Sequence, residues 1–242
     1  MQGDSSLHDP DIPVVPPGEN ELPSDDGEPM ETNEHRLQMV LLIQSLKDAW
    51  ADRDDFFVAG NMFVYFSETQ VKHNDFRGPD VFVVLNTSRR SRKSWVAWGE
   101  GKLPDVVIEL LSFRTRHVDR GEKMRIYSKL WRTPEYFLYD PISHEFDGYR
   151  LDPGTLEYVP IVPRDNGDLE CKVLGLRLGI REGLFEDVRW PWLRWLDASG
   201  VPLPTPQERA DAAERRADEE HRRAEQLEAR LRELEEKART RT

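Results

Sequence analysis

Cysteine is nearly absent: Cys171 is the one thiol among 242 residues. A lone cysteine excludes an intrachain disulfide framework and a Cys-cluster metal site, and a reducing cytoplasm is the expected compartment. Long hydrophobic runs are missing as well. No apolar stretch reaches the roughly 18 residues that a membrane span needs, and the polar, acidic N-terminus does not read as a secretory signal. An excess of base is also lacking. The net charge is −12, but it is unevenly placed. Residues 1–34 carry ten acids and no Lys or Arg, residues 207–242 carry eleven acids and ten bases, and residues 35–206 carry 25 acids and 24 bases. The middle of the chain is therefore close to neutral. It lacks the overall basic character of many nucleic-acid binders. A bound cation and a local Arg/Lys cluster could still offset phosphate charge.

What is present divides into four parts. Residues 1–29 are rich in Pro, Asp, Glu and Gly without apolar periodicity, and predict a disordered acidic arm. Residues 30–200 predict one α/β domain. A helix is expected from about Thr32 to Asp52, with Leu37, Val40, Leu41, Ile43 and Leu46 on one broad face. Strands are expected over Phe56–Phe66 (interrupted at Gly60-Asn61), Asp80–Leu85, Leu103–Leu111 and Pro134–Tyr139. A second helix is expected over Asp119–Trp131. Hairpin strands follow at Phe146–Leu151, Leu156–Pro160 and Leu174–Leu178, with turn residues at Asp152-Pro153-Gly154 and Asn166-Gly167. This order of helix, strands, helix and strands is an α/β pattern.

Residues 201–206 form a proline-rich linker, and residues 207–242 a charged helix. In a heptad frame Ala210, Ala217, Ala224, Leu231 and Ala238 take the a positions, and Ala213, Glu220, Leu227 and Leu234 the d positions. That is a coiled-coil pattern with a small-residue core, and it predicts a homodimer through this tail. The competing reading is a single solvated helix held by Glu–Arg pairs four residues apart.

Three short stretches carry chemistry. Asp80 opens an apolar strand after Gly78-Pro79. Glu109 interrupts Val106-Val107-Ile108-Glu109-Leu110-Leu111, where Val106, Ile108 and Leu110 face one way and Val107, Glu109 and Leu111 the other. A carboxylate within a buried strand is costly unless paired or on a metal. The bland alternative is a half-covered sheet face with Glu109 near an edge. Lys123 follows on the second helix, one turn before Tyr127. Asp105 is set aside as a turn residue at a strand start. Two carboxylates able to share a divalent ion, with a lysine nearby, are the minimum set for metal-dependent phosphodiester hydrolysis. Arg89, Arg90, Arg92 and Lys93 form a loop cluster that could meet a DNA backbone, though a solvated loop is its default reading.

As an ordered set these segments resemble the Uma-two family, a restriction-endonuclease-like branch of the PD-(D/E)XK nuclease superfamily. The resemblance runs over about residues 22–200. It rests on Asn33-Glu34-His35 before an apolar helix, Phe76-Arg77-Gly78-Pro79-Asp80-Val81, Pro104-Asp105-Val106-Val107-Ile108-Glu109-Leu110-Leu111-Ser112, Glu122-Lys123, and Pro134-Glu135-Tyr136-Phe137-Leu138-Tyr139-Asp140-Pro141.

The resemblance implies a restriction-endonuclease-like mixed β-sheet core flanked by helices. It implies Asp80 and Glu109 as metal ligands for Mg²⁺, with Mn²⁺ as the alternative, and DNA as partner. The superfamily's lysine falls at Leu111 here, so the resemblance hands that role to Lys123. His35, or Glu34 beside it, would complete the site, the alternative for His35 being a structural cap. The expected activity is endonucleolytic hydrolysis of DNA. The competing reading is a catalytically inactive nuclease-fold scaffold that works through the arm and tail.

Overall fold

The computed structural model describes residues 17–22, 32–67, 76–112 and 114–239. In chain order the elements begin with α1 (Asn33–Ala49), β1 (Phe56–Ala59), β2 (Val64–Tyr65), β3 (Phe76–Arg77), β4 (Val81–Leu85), β5 (Trp95–Val96), α2 (Ala97–Glu100) and β6 (Val106–Leu110). There follow α3 (Arg116–Val118), π-helical turns at Asp119–Lys123 and Ile126–Leu130, β7 (Glu135–Tyr139), β8 (Phe146–Asp152), β9 (Glu157–Pro160), β10 (Leu169–Cys171), β11 (Leu176–Phe185), β12 (Val188–Leu196) and α4 (Pro206–Arg239).

Six strands form the main sheet in the order β1-β4-β6-β7-β8-β9. Only β6 and β7 are parallel within it, and the helical segment from Arg116 to Leu130 is their crossover. The alternation in β6 sorts its side chains as the sequence predicts. Val106, Ile108 and Leu110 join Val81, Val83, Phe137 and Tyr139 on one face, under Leu42 and Leu46 of α1 and Leu178, Leu193 and Trp195 of the β10-β11-β12 sheet. Val107 and Leu111 join Phe82, Val84, Tyr136 and Leu138 on the other face, under Ile126, Tyr127 and Trp131. Both faces are covered, and β6 is an inner strand. Glu109 is fully buried, so the reading of Glu109 at a half-covered edge is overturned.

Buried polar groups pin the layers together. Gln38 of α1 donates from Nε2 to the Leu193 carbonyl at 2.8 Å and accepts from the Leu193 N–H at 2.9 Å, bridging helix and sheet 155 residues apart. Trp195 Nε1 donates to the Leu42 carbonyl at 3.0 Å. A buried amide that satisfies both groups of one peptide fixes the layers without leaving an orphan polar atom.

Three expectations are revised. Phe56–Phe66 is two strands in two sheets, because Asn61 at φ 48° turns the chain between β1 and β2. The second helix is not a regular α-helix: it winds through two π turns after α3. The stretch after Leu178 is a long hairpin, closed at Glu186-Asp187 with φ of 47° and 61°. Positive φ at both central residues is what a tight two-residue hairpin needs. Within the expected arm, residues 17–22 pack on the domain: Leu22 is buried and Glu19 pairs with Arg90. The rest of the arm lies outside the described residues.

The tail helix starts with a reciprocal cap. Thr205 Oγ1 accepts from the Glu208 N–H at 3.1 Å, and Glu208 Oε2 accepts from the Thr205 N–H at 2.7 Å. Pro206 takes the first helical position, where its missing N–H costs nothing. Arg194 of β12 holds the same Glu208 at 2.8 and 3.1 Å, and Arg209 reaches Asp48 at 2.8 Å. The first turn is thereby fastened to the domain.

Asp168 supplies an acid-sensitive fastening. It is buried, and both oxygens meet Arg181 at 2.8 Å. Burial works against its charge, but the Arg181 and Asn166 hydrogen bonds prevail and hold its carboxyl below the usual range. A depressed folded-state pKa contributes stability that is present above the unfolded value, about 3.9, and lost as pH falls through the lower folded value. Asp168→Asn should therefore flatten the acid limb of a denaturation midpoint-versus-pH curve below about pH 4. An acid limb identical to wild type would refute this.

Candidate active site

The site is built where β4 begins and β6 ends. Gly60 lets the chain pass close to this point: a Cβ there would sit 2.1 Å from the Asp80 carbonyl oxygen. The Asn61 N–H donates to the Pro79 carbonyl at 3.0 Å. Asp80 is thus delivered at the mouth of β4, half-buried, and its Oδ2 accepts from the Leu110 N–H at 2.8 Å. Glu109 reaches back, and its Oε2 accepts weakly from the Asp80 N–H at 3.4 Å. The two acids therefore lock their strands to each other by side chain to backbone.

The crossover helix brings the cation. Lys123 Nζ lies 3.0 Å from Glu109 Oε2 and 2.8 Å from Asp119 Oδ1. Tyr127, one turn further, donates from its hydroxyl to Glu109 Oε1 at 2.7 Å. Asp119, Lys123 and Tyr127 follow at intervals of four residues and present one face to β6. Asp119 is buried and was not among the residues singled out in the sequence. The signal for it was available: it lies four residues before Lys123 on the face that Tyr127 marks as core-facing. His35 is buried in the first turn of α1, with Nε2 3.0 Å from the Leu110 carbonyl and Nδ1 3.3 Å from Thr32 Oγ1. Its imidazole thus sits on the peptide next to Glu109. Glu34 is half-buried beside it.

Two carboxylates, Glu109 and Asp119, hold one ammonium here, and Asp80 is near enough to act on it electrostatically, so acids outnumber the cation. Burial, then the neighbouring Asp80 and Asp119, push the Glu109 carboxyl up to about 8 against the pull of Lys123 and the Tyr127 hydrogen bond. Desolvation likewise raises Asp80. Burial opposes the charge on Lys123, but Glu109, Asp119 and Asp80 outweigh it and keep the amine protonated. Lys123 therefore serves as a fixed cation, not as a base. Burial and the Glu109 charge raise the Tyr127 hydroxyl, so it stays a donor.

The remaining candidates sort cleanly. Asp105 Oδ2 accepts from the Leu85 N–H and from Lys102 Nζ, each at 2.7 Å, a local structural role. The loop cluster makes contacts within the molecule, with Arg92 buried while Arg89, Arg90 and Lys93 stay exposed as the solvated-loop reading expects. Arg92 is buried and chelates Glu100 at 2.7 and 2.9 Å, and Arg90 pairs with Glu19 and Glu100. Arg89 donates to the Ala51 and Arg53 carbonyls at 3.0 and 2.8 Å. Cys171 is buried, and burial together with Glu135 raises its thiol, so it offers no nucleophile. Among the described residues no group of three or more His, Cys, Asp or Glu is placed to hold a metal by itself. No helix among them is long and apolar enough to cross a membrane.

Fold and site together define the class: a mixed α/β domain with an acid–lysine cluster where an inner strand meets its crossover helix. The chain belongs to the Uma2 family, whose model, described as "Putative restriction endonuclease", matches residues 16–181. Among solved structures the chain is similar to a protein described as "a putative nuclease belonging to DUF820" from Anabaena variabilis. The two share 16% identity at a TM-score of 0.41, over 60% of this chain and 82% of that one. A search of the curated proteins found no match.

Proposed function

We propose that the domain is a divalent-metal-dependent endonuclease that hydrolyses DNA phosphodiester bonds. The observation that carries this reading is the convergence of Asp80, Glu109 and Lys123 from two strands and a helix onto one half-buried point. Family membership points the same way.

The donor set fits Mg²⁺. Asp80 and Glu109 offer oxygen only, and Mg²⁺ commonly takes one or two carboxylates and keeps waters and substrate phosphate for the rest. The unbalanced negative charge around Lys123 is also what a divalent cation would offset. Mn²⁺ suits the same donors. When bound, the ion supplies a Lewis acid for the phosphate and a water of lowered pKa. The chain's own residues do the positioning. Asp119 holds the Lys123 ammonium against Glu109, and Tyr127 fixes the other Glu109 oxygen. Lys123 stays charged, so it neutralises negative charge that builds up in the transition state. This reading includes two copies joined through the tail, one for each DNA strand.

The test is nicking of supercoiled plasmid DNA in Mg²⁺ or Mn²⁺ and in chelator, with wild type and Lys123→Met. Cation-dependent cleavage that falls by about 10²–10³-fold in the variant is expected. A wild-type protein that neither cleaves nor binds divalent metal in the presence of DNA would overturn the proposal.

A further inference from the structure

From Ala213 onward every residue of the tail helix α4 whose burial is described is exposed. Its 34 residues extend about 50 Å at the α-helical rise. Leu227, Leu231 and Leu234 are 62%, 61% and 52% exposed and fall on one side at spacings of four and three. An uncovered leucine seam on a long charged helix is characteristic of a helix that pairs. The seam alone does not name its occupant. The flanking charges do.

In the frame with Ala210 at a, the g positions are Arg209, Arg216, Arg223, Arg230 and Lys237, all basic. The e positions are Glu214, His221, Glu228 and Glu235, three of them acidic and none Lys or Arg. When two such helices run parallel and in register, each g residue lies beside the partner's e residue five positions on. Arg223 then meets Glu228, and Arg230 meets Glu235, on both sides of the pair, while Arg209 is engaged by Asp48 of its own domain. In an antiparallel pair g faces g and e faces e. Base would oppose base and acid would oppose acid along the whole length. We infer that the tail pairs with a second copy of this chain as a parallel, in-register, two-stranded coiled coil whose orientation is set by this segregation of basic g and acidic e positions.

The pairs that some of these residues make within their own helix do not compete strongly. His221–Glu225 at 3.4 Å and Glu228–Arg232 at 3.5 Å are highly exposed contacts, and such pairs are worth little. The parallel arrangement has one adverse layer, where Glu220 at d would face its own copy. With alanine at most a positions, the dimer is weak and concentration-dependent. Because Glu208–Arg194 and Arg209–Asp48 fasten the first turn to the domain, a parallel tail brings both domains out at the same end of the pair. The inference depends on self-association but not on catalysis.

The experiment uses the full chain with one added cysteine, since Cys171 is buried. Leu234→Cys under mild oxidation should give a disulfide-linked dimer on non-reducing gels, because d positions adjoin in a parallel pair. Arg223→Glu/Arg230→Glu should weaken self-association in sedimentation by about ten- to a hundredfold. Mixing it with Glu228→Arg/Glu235→Arg should restore a dimer containing one of each. Three results would overturn the inference: a monomer at all concentrations, cross-linking only when Leu234→Cys is mixed with Ala217→Cys (the antiparallel pairing), or charge reversal without effect. All these positions lie on the tail helix beyond the turn fastened to the domain, so the domain's thermal transition should not move, and an unmoved transition separates a failed dimer from a failed fold.

Discussion

Asp80→Asn should lose cleavage by about 10³-fold or more, yet be at least as stable as wild type when no divalent metal is present. The two halves have one cause. Glu109 and Asp119 pair with a single ammonium and Asp80 lies within its electrostatic reach, so the acids outnumber the cation until a further one arrives. An asparagine keeps an oxygen for the Leu110 N–H that Asp80 now accepts at 2.8 Å, so the strand contact survives. It removes one of the mutually repelling charges. Relief of about 1 kcal/mol would raise the thermal midpoint by about 2–4 °C in a chain of this size. Adding Mg²⁺ should then reverse the order, because an ion that binds only the folded wild type stabilises it by mass action and has less hold on the variant. Loss of activity with gain of stability is the signature expected of a site that stores repulsion for function. Thermal unfolding of both proteins with and without Mg²⁺, beside the plasmid assay, checks it. A variant that is less stable in metal-free buffer would show that Asp80 is structural. A variant that still cuts would remove it from the site.

Much of this site was legible in the sequence, for a physical reason. A carboxylate in an apolar alternation marks a strand that buries charge, and Glu109 declares itself in that way. Asp80 and Lys123 gained meaning only beside it and from the order of their segments. Asp119 was legible only by carrying the Lys123–Tyr127 spacing one turn further back. The π turns at Asp119–Lys123 and Ile126–Leu130 deepen that difficulty, since a widened helix shifts which residues share a face. Strand alternation in β6 was readable because both faces are closed. The β11–β12 hairpin was not, because its turn is Glu186-Asp187 and lacks the Asn-Gly or Asp-Gly that usually announces positive φ. Arg90 and Arg92 look free in the sequence because Glu100 and Glu19, which pair with them, lie 8 to 71 residues away. The cap that starts α4 was written in Thr205-Pro206-Gln207-Glu208, a reciprocal capping sequence hidden inside what reads as a linker.

The same alternation argument, applied to β7, leads to the largest expected loss of stability. Glu135, Phe137 and Tyr139 alternate onto one face, and the last two belong to the core under α1. Glu135 is therefore a second carboxylate aimed into an apolar layer, and it is fully buried. It is satisfied from several directions. Arg150 of β8 donates to Oε1 from Nη2 at 2.7 Å and from Nε at 3.0 Å. The Lys172 N–H donates to Oε1 at 3.0 Å and the Val173 N–H to Oε2 at 3.1 Å. These last two belong to the turn between β10 and β11, so Glu135 clamps the smaller sheet onto the main one. Glu135→Ala would leave a guanidinium and two backbone donors without their acceptor beside a cavity. Removing one partner of a buried ion pair costs about 3–5 kcal/mol, and Arg150, which is partly exposed and can be hydrated, favours the lower end. A loss of about 3 kcal/mol corresponds to a fall of roughly 6–12 °C in the midpoint. Glu135→Gln should lose less, since one oxygen still accepts while the amide nitrogen cannot. Urea unfolding of the two variants checks the ordering. Arg150→Ala alone should cost less than Glu135→Ala, because the two N–H donors keep their acceptor. If Glu135→Ala costs under about 1 kcal/mol, water reaches the pocket and the clamp is decorative. If it unfolds the chain while Glu135→Gln does not, the junction of the two sheets depends on this one acceptor.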